Sequence, residues 1–501
     1  MSSHDLYLLS PELSLVGLAA LLLLLDLVVA RKGVLLVLAV FGLAVPLALS
    51  ISLWFDLGAS GASDNTGILA DTLAVDRFAL FFKFLFLGVA AAVILVSSDY
   101  ARRFERFRIE FYALVLFSVT GMMLLASSVE LITLYISLEL TALPVAALAA
   151  FNRDSRSSEA GLKFLILSGI SSAVLLYGMV LVYGFTGSTM LDDIAARIGQ
   201  IGLDEGQPFG SYALLLGIVL MVAGFGFKIT AVPFQMWAPD VYEGSPTPIT
   251  AFLSVASKAA GFAVVLRVFY VAFPMDIVSV EWSAIFAVLA ALTMTVGNFV
   301  AIAQSNIKRM LAYSTIAHAG YLMVGLAAAA ARAPEDQGAL GPSGILFYLG
   351  GYAVMNMAAF AAVIAISDRI KSDRIDDYAG MSKRAPYLAG ALAFAMVSLT
   401  GVPPTVGFMV KIYLFGAAVN HDLAWLAVFG VVNSVVSAYY YLRVIRVMYL
   451  SPAPTEERLT SGLALRLAIL VTTAGVLFFG LYPTPLLELA RTAAEVLVTV
   501  S

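Results

Sequence analysis

The stretch Gly224-Phe-Gly-Phe-Lys228-Ile-Thr-Ala-Val-Pro233 places a lysine and a proline inside an apolar run. The run covers residues 210–232, which is long enough to cross the hydrocarbon core of a membrane as a helix. Proline lacks an amide donor and clashes with the preceding helical turn. The pattern therefore predicts a membrane helix that is broken next to a buried lysine, where protein or water must satisfy the freed backbone groups.

A second stretch repeats the pattern, and it reads Leu399-Thr-Gly-Val-Pro-Pro404-Thr-Val-Gly407-Phe-Met-Val-Lys411. Paired interrupted helices, one in each half of a chain, indicate a transporter built from inverted repeats. Five predicted spans separate the two breaks, so helices 4–8 and 9–13 would be the repeats. An odd number of helices gives the two units opposite topologies, as inversion requires. Ordinary proline kinks without symmetry are the alternative interpretation.

The whole composition extends this pattern to an all-α polytopic membrane protein. Of 501 residues, 61% are hydrophobic and only 12% are charged, whereas soluble domains carry about 25% charged residues. The mean hydropathy is +0.95, and the long apolar runs fit helices rather than barrel strands. We predict about fourteen transmembrane helices, the seventh and twelfth broken, at 8–30, 34–54, 78–98, 111–127, 129–151, 160–186, 210–232, 247–273, 280–303, 309–331, 344–367, 386–417, 421–449 and 461–482.

These spans form one membrane domain, 1–501, with four parts. They are helices 1–3 (1–110), a first repeat (111–273), a second repeat (280–449), and a last helix with an amphipathic tail (461–501). With the N-terminus outside, eighteen of the 29 Lys and Arg residues fall in inside loops, four fall outside and seven lie within spans. The positive-inside rule therefore predicts that both termini face the outside of the membrane.

Several classes of site are disfavoured by what the sequence lacks. It has no cysteine and three histidines, which argues against disulfides, thiolate-bound metals, iron–sulfur clusters and multi-histidine metal sites. No glycine-rich phosphate loop is present, so we expect neither a nucleotide site nor any other cofactor or metal on this chain. The net charge of −4 gives no reason to expect nucleic acid as a partner.

Three lysines inside the spans are the first candidates for function: Lys228, Lys258 and Lys411. An ionisable group at mid-membrane costs roughly 2.5–3.5 kcal/mol, so its presence points to function. A buried lysine can gain and lose a proton near neutral pH, whereas arginine stays charged. The choice of lysine therefore indicates proton transfer. A lysine held permanently by a carboxylate or by carbonyl groups is the alternative.

Other ionisable residues add to this set. Glu139, midway in the fifth span, would tune a lysine if the two formed a pair. His318, in the tenth span, could relay protons or could be a hydrogen-bonded core residue. Glu159 and Lys163 have the i,i+4 spacing of a helical ion pair, either interfacial or involved in tuning and proton uptake. Asp240, at the inner end of the seventh span, would either open an uptake path or be solvated.

Two further cations are expected to have anchoring roles. Lys83 lies near the outer end of the third span, so its ammonium group is expected to extend to the membrane surface. Arg267 is expected to be an interfacial anchor.

Three stretches of the sequence carry a family resemblance, and it extends over essentially the whole chain. They are GFGFKITAVPFQMWAPDVYEGSPTPITAFLSVASK (224–258), SNIKRMLAYSTIAHAGY (305–321) and GVPPTVGFMVK (401–411). The chain resembles the subunit N family of the bacterial proton-pumping NADH–quinone oxidoreductase, respiratory complex I. The resemblance implies the antiporter-like fold, with fourteen helices, two inverted five-helix repeats and broken helices 7 and 12.

The resemblance also implies roles for particular residues. Glu139 and Lys228 would be the pair that modulates the pump, Lys258 and His318 the central relay, and Lys411 the connection to the outside. FMN, iron–sulfur clusters and quinone would belong to other subunits of the complex. The implied partners are the other membrane subunits, lipids, protons and water.

One position departs from the family pattern. The family commonly has histidine where this chain has Gln235, and glutamine cannot titrate. Asp240 or a water route is therefore the substitute hypothesis for proton uptake. Two rival functions remain at this point: a subunit of a multi-subunit cation/proton antiporter, and a structural membrane subunit with inert buried charges.

Overall fold

The computed structural model describes residues 3–29, 32–59, 66–69, 71–201, 208–273, 275–330, 340–455 and 458–499. The two chain ends, whose outer location is predicted above, lie outside these ranges. The described residues form an almost entirely helical bundle. Its α-helices are α1 (Ser3–Leu8), α2 (Ser10–Asp26), α3 (Lys32–Gly42), α4 (Ala44–Ala59), α5 (Arg77–Tyr100), α6 (Arg108–Ser127), α7 (Leu131–Ala149), α8 (Ser155–Thr186), α9 (Leu191–Ile201), α10 (Pro208–Ile229), α11 (Trp237–Gly244), α12 (Thr247–Phe252), α13 (Lys258–Val271), α14 (Met275–Ile302), α15 (Ile307–Ala330), α16 (Leu340–Ile370), α17 (Met381–Arg384), α18 (Pro386–Thr400), α19 (Val406–Asn420), α20 (Ala424–Leu450), α21 (Leu463–Leu481) and α22 (Thr484–Thr499).

Short 3-10 turns and one small sheet complete the described secondary structure. The turns cover Ala101–Phe107, Phe234–Met236 and Ile375–Tyr378. Strands β1 (Thr66–Ile68) and β2 (Leu73–Val75) form an antiparallel hairpin just before α5, with Gly67 opposite Ala74.

The helices confirm the predicted all-α membrane class. Among the described residues, twelve helical segments are long and apolar enough to cross a membrane. The other two predicted spans coincide with α2, which has 17 residues, and with the shorter pair α18 and α19. The count of fourteen and the two inverted repeats stay predictions.

Both predicted breaks are present. Helix α10 ends at Ile229, and Thr230 adopts a left-handed backbone with φ of 62°. A 3-10 turn and α11 then continue the seventh span. Helix α18 ends at Thr400, and the next residue, Gly401, has a φ of 91°, which is readily adopted only by glycine. A Cβ atom at Gly401 would also lie 3.0 Å from Cδ of Lys411, so this glycine makes room for the lysine.

A third irregularity was not predicted from the sequence. Residues Leu253–Ser257 form a π-helical turn between α12 and α13, directly before Lys258. Such turns occur as single insertions in α-helices, frequently at functional sites. Every side chain from Thr247 to Val271 is buried, so the turn and the lysine lie at the centre of the bundle.

The two expected surface anchors are instead buried, and both predictions were wrong. Lys83 is fully buried and lies 2.7 Å from the Glu12 carboxylate of α2. Arg267 donates to both carboxylate oxygens of Asp76, at 2.5 and 3.0 Å, and also to the Ala126 carbonyl. A buried charge is tolerated when it is paired, and these partners are far away in the sequence.

Helices α14 and α15 pack closely because the residues at their interface are small. A Cβ atom on Gly297 would lie 2.6 Å from the backbone nitrogen of Ala317 and 2.9 Å from the Tyr313 carbonyl oxygen. Small residues permit this close approach of membrane helices. The contact fixes the position of α15, which carries His318.

We expect Gly297→Ala to destabilise the protein by about 1–3 kcal/mol, because rigid backbone atoms would have to move. The control is Gly169→Ala on α8, where no atom lies within 4 Å of the new methyl group. That substitution should be neutral or stabilising by up to about 1 kcal/mol. Thermal unfolding of the purified protein measures both, and equal midpoints would contradict the prediction.

Candidate functional site

Lys258 lies at the centre of the site, between the break of α10 and helix α15. It is buried, and its Nζ donates to Thr230 Oγ1 at 2.9 Å and to the Thr315 carbonyl oxygen at 2.5 Å. Within the described part of the chain, no carboxylate lies within 4.0 Å of this ammonium group. The lysine is therefore solvated by a hydroxyl and a carbonyl, without a neutralising partner.

His318 follows Thr315 by one turn on α15 and is buried among tyrosines. Its Nδ1 lies 2.7 Å from the Tyr348 hydroxyl, and its Nε2 lies 3.3 Å from the Tyr441 hydroxyl. The Tyr441 hydroxyl also bonds Ser314. A hydroxyl can both donate and accept, so either protonation state of the imidazole finds partners in this arrangement.

Lys411 uses the second break directly. Its Nζ donates to the carbonyl oxygens of Leu399 at 3.1 Å and Thr400 at 2.9 Å, which the end of α18 leaves without helical partners. The same nitrogen lies 4.9 Å from the centre of the Tyr321 ring. Lys411 also lines a pocket of about 320 Å³ between α19 and α20.

A chain of polar side chains connects the surroundings of His318 with those of Lys411. Tyr440, the neighbour of Tyr441, donates to Asn298 Oδ1 at 2.9 Å. Asn298 donates through Nδ2 to the Tyr321 hydroxyl at 3.0 Å. Tyr321 in turn packs against Lys411. The three predicted residues Lys258, His318 and Lys411 therefore belong to one polar interior that is surrounded by apolar helices.

Glu139 and Lys228 lie near each other but are not in contact. Lys228 is buried in the last turn of α10, and Glu139 interacts with it electrostatically. The Glu139 carboxylate accepts from Ser172, and the described residues contain no ion pair between the two. A cavity of about 10 Å³, lined by Ser172, Ser168 and Lys228, is just large enough for one water molecule.

The remaining candidates form a charged network at one end of the bundle. Lys163 pairs with Glu159 at 2.8 Å and with Asp240 at 3.1 Å, and Asp240 also pairs with Arg309 at 2.7 Å. Lys163 and Glu159 are 42% and 62% exposed, which makes them a solvated surface pair. Gln235 lies in the 3-10 turn after the first break, and its buried Oε1 has no hydrogen-bond partner among the described residues.

Comparisons with known proteins agree with this geometry. A family profile described as NADH:quinone oxidoreductase/Mrp antiporter, TM matches residues 128–437. The chain belongs to this family. A protein of Dehalococcoides mccartyi named NADH-quinone oxidoreductase subunit N is 49% identical over 428 residues, which are 85% of this chain and 87% of that protein. The resemblance to the subunit N family is confirmed.

Solved structures of this antiporter-like family share the fold. A chain in respiratory complex I from Thermus thermophilus is 33% identical, with a TM-score of 0.76, over 96% of this chain and 99% of that one. A chain of the Mrp complex from Dietzia sp. has a TM-score of 0.83 at 21% identity, over 99% and 97% of the two chains, and shows the fold alone.

Several uncharged residues of this site were missed in the sequence. They are Thr230, Asn298, Thr315, Tyr321, Tyr348, Tyr352, Tyr440 and Tyr441. A charge inside an apolar run points to function from the sequence alone, whereas a buried tyrosine hydroxyl or asparagine amide, which also needs a partner, does so only once its surroundings are known. The sequence contains one signal that could have identified this site. Asn298 and the Tyr440-Tyr441 pair are polar residues inside apolar helices of this family's fold.

We expect Tyr441→Phe to destabilise the protein by about 1–3 kcal/mol, because it removes the buried hydroxyl that bonds Nε2 of His318 and the Ser314 hydroxyl. The matched control is Tyr439→Phe, which removes the same atom from a side chain that is 63% exposed and should cost less than about 0.5 kcal/mol. Thermal unfolding midpoints of the two variants test this. Equal midpoints would show that the Tyr441 hydroxyl contributes nothing.

Proposed function

We propose that this chain is a proton-translocating membrane subunit of an NADH–quinone oxidoreductase. One observation carries the proposal: Lys258, His318 and Lys411 share a buried polar interior in which neither lysine is paired with a carboxylate within the described residues. Protons cross a membrane through such relays of ionisable and hydroxyl groups. The names of the relatives in the family support the assignment to this enzyme.

In the proposed mechanism, Lys258 and His318 form the central relay. Thr315 lies on α15, one turn before His318, and its carbonyl oxygen accepts a hydrogen bond from Lys258 of α13. Lysine can release its proton inside a protein, which arginine cannot do. Lys411 receives the proton through water molecules that the tyrosine and asparagine side chains hold, and passes it to the outside.

Glu139 and Lys228 would set the charge of the relay. A change in the separation of Glu139 and Lys228 alters the electrostatic field at the first break, which also holds the Thr230 partner of Lys258. Driving one proton against about 150 mV costs roughly 3.5 kcal/mol, which corresponds to about 2.5 pKa units of a lysine. Burial can change the pKa of a lysine by this amount.

The redox chemistry belongs elsewhere in this proposal. FMN, iron–sulfur clusters and quinone would be held by other subunits, and electron transfer there would act on this chain through charge and contact. The chain would lie in a bacterial inner membrane with both termini on the periplasmic side. Its partners would be the other membrane subunits of the complex, together with lipids, water and protons.

A subunit of a multi-subunit cation/proton antiporter is the second candidate, since the Mrp complex contains the same fold. The 41–49% identity to proteins named as subunit N favours the oxidoreductase. Neighbouring genes for quinone-reductase subunits rather than antiporter subunits would separate the two.

The deciding test is Lys258→Met in the complete complex, reconstituted in vesicles. We expect proton pumping to be lost and electron transfer to fall with it, because the central proton carrier is missing. The matched control is the double substitution Lys83→Met, Glu12→Leu, which replaces a buried lysine outside the relay and its partner by apolar residues. Replacing both members of a buried ion pair is often nearly neutral, so this variant should pump.

Full pumping by an assembled Lys258→Met complex would refute the proposed function and would leave a structural subunit with inert charges. Loss of pumping by the control as well as by Lys258→Met would likewise argue against a special role of Lys258.

A further inference from the structure

A large polar cavity lies at the end of the bundle that carries the charged network. Its volume is about 410 Å³, and its lining includes Asp154, Arg156, Glu243, Lys308 and Asp373. Acidic and basic side chains alternate around it, which is typical of a water-filled space rather than of a site for one anion or cation. The loops that line it are among those that the positive-inside rule places inside, which is the side from which the proposed function takes up protons.

Lys308 forms the deep end of this cavity. Its side chain is 5% exposed, and its Nζ donates to the carbonyl oxygens of Glu243 at 2.9 Å and Ser245 at 2.7 Å. These carbonyls belong to the junction between α11 and α12. The cavity therefore ends against the helix pair that leads to the π-helical turn and Lys258.

A ladder of polar side chains extends from that turn to Lys258. Asn356 donates through Nδ2 to Ser254 Oγ at 2.7 Å, inside the π-helical turn. Tyr352 lies one turn earlier on α16 and donates to Thr315 Oγ1 at 3.0 Å. The Thr315 carbonyl oxygen accepts from Lys258. Tyr352 also interacts with Asn356, so only Tyr352 and Thr315 lie between Asn356 and the central lysine.

Two buried polar atoms next to this ladder have no partner among the described residues. They are the Tyr242 hydroxyl and Asn356 Oδ1, and Tyr352 interacts with both side chains. An unpartnered buried polar atom calls for an explanation, and bound water is the usual one. Tyr242 belongs to α11, the helix that reaches the deep end of the cavity at Glu243.

We propose that Tyr242 and Asn356 hold water molecules that carry protons from the cavity at Lys308 to Lys258. This route rests on the proposed function, and it uses neither Gln235 nor Asp240. It delivers the proton to the central lysine from the α11, α12 and α16 side, through water molecules beside Tyr352 and Thr315. Tyr242 and Asn356 act as positioning residues, since they hold the waters and need not be ionised.

The test uses Asn356→Leu and Tyr242→Phe in the complete complex, reconstituted in vesicles. We expect proton pumping to fall roughly three- to tenfold in each, the factor associated with one buried hydrogen bond. Transfer through the interrupted path should become rate-limiting, so the ratio of rates in H2O and D2O should increase. Asn356→Ser keeps a hydroxyl group and room for water, and it should restore most of the rate.

The matched control is Tyr112→Phe. The Tyr112 hydroxyl is also buried and has no hydrogen-bond partner within the described ranges, but it lies on α6 beside Asp99 and Arg108, away from the ladder. This variant should pump at the normal rate with an unchanged isotope ratio. It therefore reports what the removal of one orphaned tyrosine hydroxyl does by itself.

The outcomes separate this route from the proposed function. If Asn356→Leu and Tyr242→Phe pump like Tyr112→Phe while Lys258→Met is inactive, the route is overturned and the function stands. If Lys258→Met pumps fully, the function itself fails. If Asn356→Leu prevents assembly of the complex, Tyr242→Phe still decides the test, because it removes only one oxygen atom.

Discussion

The structure depends on one constraint, which is that every polar group inside the lipid-embedded bundle must be satisfied by the protein or by enclosed water. At each helix break, polar oxygen atoms that need a partner obtain one by binding a buried lysine. At the second break, the freed carbonyl oxygens of Leu399 and Thr400 bind the Lys411 ammonium group. At the first, Thr230 provides the hydroxyl that binds Lys258. The prolines that interrupt the helices therefore create the sites that hold the lysines.

The buried cations of the bundle fall into two kinds. Arg267 and Lys83 each have a carboxylate partner: the Arg267–Asp76 pair joins α13 to the start of α5, and the Lys83–Glu12 pair joins α5 to α2. Such pairs are fixed, because removing either partner leaves an uncompensated charge. Lys258 and Lys411 bind carbonyl and hydroxyl oxygens instead. Neutral oxygens accept hydrogen bonds from a lysine without fixing its charge, which is what a proton carrier requires.

The two breaks serve different lysines in different ways. Lys411 lies on the broken helix itself and reaches back across the gap. Lys258 lies on α13 and reaches the break of α10 from outside, while Lys228 occupies the end of α10. The π-helical turn before Lys258 is an irregularity of the first half alone among the described residues. The two breaks therefore differ in how a lysine reaches each of them.

The sequence by itself determined the membrane class, the two helix breaks and the candidate residues Lys228, Lys258 and Lys411. These follow from composition, from proline chemistry and from the cost of charge in lipid, all of which act locally along the chain. The tertiary structure decided the partners. Asn298 and Tyr440, 142 positions apart, meet in the polar interior, and the Asp76 partner of Arg267 is 191 positions away. A hydrogen bond depends on distance in space, and only the packed bundle brings such residues together.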